Sequence, residues 1–126
     1  MIRPILSLAI VLGLLAAACG PGNTQRLLRS AVDARKPKLD ECYQRALERD
    51  ETLAGTVRAK LSVEPKTGVV KSVEFLNSVG DDALRSCMED ALLGIRVDPP
   101  ATVQVDVEYA FDLVPTGGGE GYVAPQ

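Results

Sequence analysis

The sequence predicts an α+β fold of two layers, in the order helix, strand, strand, helix, strand. A three-stranded antiparallel sheet, ordered 2-1-3, would carry two helices on one face. Three observations predict it. Residues 101–113 alternate strictly: Val103, Val105, Val107, Tyr109, Phe111 and Leu113 fall on one side, and Thr102, Gln104, Asp106, Glu108, Ala110 and Asp112 on the other. A period of two marks a strand with one buried and one wet face. Two segments, around Cys42 and around Cys87, instead repeat their apolar residues every three to four positions, as amphipathic helices do. Between them, two shorter alternating runs flank Pro65-Lys66-Thr67-Gly68, which is turn chemistry.

Each element follows in order. Residues 24–34 make a short helical segment with Leu27, Leu28, Ala31 and Val32 on one side. Pro37 interrupts it and suits the first turn of a main helix. Leu39, Cys42, Tyr43, Ala46 and Leu47 are that helix's apolar stripe. Gly55 opens the first strand, along which Val57, Ala59, Leu61 and Val63 point inward. In the second strand Val70 is out of step with Val73 and Phe75, and a β-bulge near Lys71-Ser72 restores the register. Asp81 or Asp82 can N-cap the second main helix. Its stripe is Leu84, Cys87, Met88, Ala91, Leu92 and Ile95, and Gly94 and Pro99-Pro100 stop it. The last strand is long enough, at roughly 40 Å, to outrun its neighbours. Because a helix returns the chain, that strand runs parallel to the second and antiparallel to the first, which becomes central. Outward Arg58 and Lys60 then lie across from outward Asp106 and Glu108.

The chain of 126 residues suits a single domain. Its net charge of −3 offers no phosphate-neutralising surface, so no nucleic acid is expected. Histidine is absent, which removes the commonest general base and transition-metal ligand. With no glycine-rich phosphate loop and no carboxylate cluster either, neither an enzyme, a cofactor nor a small-molecule substrate is expected. Charge is uneven: Arg26, Arg29, Arg35, Lys36 and Lys38 crowd the beginning, and no basic residue follows Arg96. This reads either as two solvated faces or as a basic end held near anionic headgroups.

Residues 1–18 hold Arg3, an apolar run and Ala16-Ala17-Ala18 before Cys19. The pattern is that of an export signal, too short to span a bilayer. It resembles a bacterial lipobox, which implies acylation of Cys19 and, with Gly20 following, an outer-membrane destination. The alternative is an uncleaved anchor with an incidental cysteine. Residues 19–35 then form a lipid-anchored tether with the short helical segment, residues 36–114 the domain, and residues 115–126 a disordered tail.

Cys42 and Cys87 each sit on a buried stripe. Two helices on one sheet face are neighbours, and an exported chain meets an oxidising compartment, so the pair is placed for a disulfide. The alternative is two buried thiols.

Several of these residues also resemble a known family. Cys42-Tyr43, Leu53-x-Gly55-x-Val57, Gly68-x-Val70, Leu84-x-x-Cys87 and Tyr109-x-Phe111 are similar to the AgmX/PglI C-terminal domain, itself similar to the TonB C-terminal domain. The match spans about residues 36–113. It departs at Val97-Asp98, where the family favours Phe-Pro, and at Ala110, where it favours proline. The resemblance implies a domain without chemistry of its own that binds a protein partner in the cell envelope. It suggests the last strand as the docking edge, at Val103, Gln104, Val105, Asp106, Val107, Glu108 and Tyr109. A strand with a free row of N–H and C=O groups can accept an extended peptide; the alternative is an edge covered by residues 114–126 or by the N-terminal segment. The alternative functions are a purely structural part of a larger envelope assembly and, least favoured, a thiol-dependent enzyme.

Overall fold

A computed structural model describes residues 21–117 and 120–125. The fold is α+β, with three helices and a four-stranded antiparallel sheet ordered β2-β1-β3-β4. The central strands are β1 (Gly55–Val63) and β3 (Val105–Gly117), paired antiparallel from Gly55↔Leu113 to Val63↔Val105. Val57, Ala59, Leu61 and Val63 are buried against Val105, Val107, Tyr109, Phe111 and Leu113, so both strands point one phase into the core. The opposite phase is mostly polar and exposed, which leaves the sheet's other face to water.

β2 (Val70–Phe75) pairs with β1, and the register shift between Ser62↔Ser72 and Val63↔Val70 leaves Lys71 as the extra residue. This is the bulge that the slip in the apolar pattern requires. The hairpin turn needs Gly68 for two reasons. Its φ is +71°, and a Cβ there would lie 2.1 Å from the Val97 carbonyl oxygen. That close approach lets Val97 N–H donate to Gly68 C=O at 2.7 Å, while Val70 N–H donates to Ile95 C=O at 2.8 Å. The segment after the third helix is thereby sewn onto the start of β2.

α2 (Lys36–Arg49) and α3 (Asp82–Leu92) cover the core face. Leu39, Cys42, Tyr43, Ala46 and Leu47 of α2 are all buried, as are Leu84, Met88, Ala91 and Leu92 of α3. Fully burying a leucine contributes about 1.5–3 kcal/mol relative to leaving it in water, so these stripes decide which face each helix turns inward. Asp81 N-caps α3 by accepting from Leu84 N–H at 2.7 Å, and it also holds Arg49 of α2 at 2.9 Å. Both interactions favour the carboxylate, and the Arg49 hydrogen bond is the largest cause of its lowered pKa. Cys42 and Cys87 form a disulfide between the two helices, with Cα atoms 5.7 Å apart.

Four expectations are corrected. The last strand begins at Val105, not at residue 101, because Ala101 is buried beneath the hairpin turn and its C=O accepts from Lys66 N–H. Val103 is 56% exposed and outside the strand. The tail expected to be disordered instead supplies β4 (Glu120–Pro125), paired with β3 from Phe111↔Pro125 to Gly117↔Glu120. Gly121 carries no side chain because a Cβ would meet Tyr43 and Leu47 at 2.6 Å, and Val123 N–H donates to Asp40 of α2 at 2.7 Å. α2 therefore holds the strand in place. The segment expected as a tether leading into a short helix at residue 24 is, from Pro21 onward, one helix, α1 (Pro21–Asp33). Leu28 and Val32 are buried and Arg29 lies 5.1 Å from the Tyr109 ring centroid, so α1 belongs to the packed body. Finally, Lys60 lies across from Glu108 as expected, but it bridges Glu74 of β2 at 3.0 Å, and Arg58, across from Ala110, reaches Glu108 diagonally at 3.3 Å. Exposed pairs of this kind contribute under about 1 kcal/mol each.

Cys42→Ser should lower stability by about 4 kcal/mol through loss of the closed loop. Denaturant unfolding of oxidised wild type and variant measures it, and non-reducing peptide mapping should show the segments holding Cys42 and Cys87 joined.

Candidate functional site

The geometry of the last strand fixes which of its backbone groups are available. Leu76 N–H donates to Arg58 C=O, Asn77 Nδ2 donates to Thr56 C=O, and Arg58 N–H donates to Asn77 Oδ1. Even-numbered residues of β1 therefore turn their backbone toward β2. In an antiparallel ladder successive residues alternate sides, so the odd-numbered residues bond to β3. Their partners Val105, Val107, Tyr109, Phe111 and Leu113 spend their groups on β1. Asp106, Glu108, Ala110, Asp112 and Val114 face the other way, toward β4.

β4 reaches back along this edge only as far as Phe111↔Pro125. The docking edge expected over residues 103–109 thus divides. Val103 and Gln104 precede the strand and are exposed, and the Gln104 side chain donates to Asp106 at 3.1 Å. Val105, Val107 and Tyr109 are buried and face β1 with their backbone. Asp106 and Glu108 present N–H and C=O outward, and among the described residues no strand covers them. Their exposed side chains belong to the wet face, and the Gln104 hydrogen bond is the main cause of the lowered Asp106 pKa. Beyond Phe111 the edge is occupied, which corrects the reading of a strand free along its whole length.

Tyr109 sits beneath this open window. Its ring stacks on Phe111 with centroids 6.0 Å apart, and the Arg29 guanidinium lies over it. Burial pushes the phenol up to about 12, against the pull of the Arg29 charge. The hydroxyl has no hydrogen-bond partner among the described residues.

The sulfurs of Cys42 and Cys87 are joined and present no thiolate. Arg35, Lys38, Glu41, Arg45 and Asp90 rim a shallow depression of ≈ 230 Å³ beside the bridge, in which Arg45 is ion-paired with Glu41. Among the described residues, no group of three histidine, cysteine, aspartate or glutamate side chains could hold a metal ion. No helix among them is long and apolar enough to cross a membrane. Cys19, the expected lipid attachment site, lies outside the described residues.

Sequence reasoning missed the outer edge of β2. The strand order that makes β1 central makes β2 an edge as well. Val73 and Phe75, on the core face, are only half-buried, and a cleft of ≈ 710 Å³ opens between them and α3. The misfit between Val70 and Val73 in the apolar pattern was the available signal.

Compared with known protein families, curated proteins and solved structures, the chain matches none.

An unsatisfied buried hydroxyl costs about 1–3 kcal/mol, so Tyr109→Phe should be neutral or stabilising by up to that amount. Its unfolding midpoint in urea, compared with wild type at matched slope, is the measurement. A loss above about 1 kcal/mol would show that the hydroxyl has a bonding role.

Proposed function

We propose that this protein is a non-enzymatic envelope lipoprotein, anchored through Cys19, whose TonB-like domain binds an extended segment of a protein partner. The anchor places it at the membrane surface on the periplasmic side, in the outer membrane. The observation that carries the binding reading is the outward backbone of Asp106 and Glu108, uncovered among the described residues where β4 stops. Strand addition uses such groups for affinity and neighbouring side chains for selectivity. The usual defences of an edge are thin: no proline or lysine lies between Val105 and Ala110. A purely structural role within a larger assembly is the competing reading, and it requires no addition of a strand at this window.

Two measurements test the two halves of the proposal. Mass spectrometry of the protein purified from envelopes should find an N-terminal acylated Cys19, with residues 1–18 removed. Retention of Met1 would end the lipoprotein reading. Stable anchoring needs two membrane signals, so two or more acyl chains are expected.

For binding, a photoreactive residue in place of Glu108 should capture a partner in envelopes. Adding Asp106→Pro should cut that yield by about ten-fold or more, because it removes an outward donor while sparing the ladder to β1. Unchanged capture by a variant with a native circular-dichroism spectrum would exclude pairing at this window.

A further inference from the structure

We infer that the groove between β2 and α3 is a second docking site, for an extended segment of a partner protein that carries a lysine or arginine. The site is independent of the β3 window, on the opposite edge of the sheet. β2 bonds to β1 through Ser72 and Glu74, and the chain continues that phase at Leu76, whose N–H donates to Arg58. By alternation, the N–H and C=O groups of Val73 and Phe75 face away from the sheet. The segment that sews onto this edge, at Ile95 and Val97, reaches only Val70 and Gly68. From Lys71 to Phe75 the edge is uncovered among the described residues.

Beside the open edge lies a largely polar cleft whose floor carries two apolar side chains, Val73 and Phe75. Val73 and Phe75 share the phase of Leu61 and Ala59, their partners on β1, so their side chains belong to the helix-bearing face. α3 does not reach far enough to cover them, and the ≈ 710 Å³ cleft fills the difference. A strand added to β2 would set alternate side chains onto this floor, between the sheet and the helix. Backbone pairing and side-chain pockets are thus combined in one groove.

The wall selects the charge of the occupant. Asp81, Asp82 and Glu89 line the cleft against Arg85 alone, while the Glu74 side chain, in the phase opposite to Val73 and Phe75, pairs with Lys60 on the other face. Arg49 answers Asp81, but Asp82 and Glu89 have no ion-pair partner among the described residues. A long basic side chain suits both surfaces, its methylene stem on Phe75 and its charge at the carboxylates. A second copy of this chain suits neither. Pairing β2 with β2 would bring another Asp82 and Glu89 against the same carboxylates, which like-charge repulsion disfavours.

The test uses the intact protein and the labelled peptide Thr-Val-Thr-Lys-Thr-Val-Thr, which sets valine and lysine on one face. Fluorescence anisotropy should show saturable binding, and the Val73 and Phe75 amide resonances should shift. Replacing the peptide lysine with glutamate should weaken binding by about ten-fold or more, and so should the double variant Asp82→Lys with Glu89→Lys. N-methylation of alternate peptide amides, in at least one of the two phases, should abolish it, since that removes the donors that pair with β2. The assignment is overturned if the lysine peptide does not bind, or if the glutamate peptide binds equally. Shifts confined to Asp106 and Glu108 overturn it too, as does a dimer through this edge on sedimentation.

Discussion

The pairing of β1 with β3 is the constraint on which the rest of the molecule depends. Nine consecutive register positions join Gly55–Val63 to the first part of β3. A slip of β3 by one residue would turn Val107 and Phe111 out into water and bring Glu108 against the core face of β1. No helix arrangement could compensate. With that register set, the helices have one apolar surface to cover, and their own stripes determine how they lie on it. The Cys42–Cys87 bond and the Arg49–Asp81 pair then fix α2 and α3 beside each other.

Much of this was legible because the information is local. The inward phases of β1 and β3 repeat every second residue, and the buried stripe of α2 was readable residue by residue. A cap at Asp81 or Asp82 and a bulge near Lys71-Ser72 were also visible as short-range chemistry, and the fold selects Asp81 and Lys71. What the sequence hid depends on partners distant in the chain. β4 has little apolar content to announce it, since Gly121 and Val123 are its inward positions. Its placement comes from the fit of Gly121 onto Tyr43 and from the Asp40 carboxylate. Likewise, residues 101–104 continue the alternating pattern but do not join the strand, because Ala101 is tied beneath the hairpin.

The candidate site was legible in kind and not in extent. An edge at the last strand followed from topology, but how much of it stayed open depended on β4. Which phase pointed outward depended on the bonds between β1 and β2, and no periodicity in β3 itself encodes that. The two open windows differ in character. At β3 the face below is filled by Tyr109 and α1, so the backbone is the available contact. At β2 the face below is incompletely covered, and side chains have somewhere to go.

The disulfide has a topological consequence. The ring it closes, from Cys42 to Cys87, contains β1, β2 and most of α2 and α3, but neither β3 nor β4. The central strand of the finished sheet is therefore an outer strand of the covalent ring. Until β3 arrives, one whole side of β1 is an unpaired template flanked by Val57, Leu61 and Val63, the kind of surface on which chains aggregate. β3 is thus the ring's own guard as well as its neighbour. Any truncation before Val105 would leave a well-bridged fragment whose most hydrophobic strand is paired on one side only.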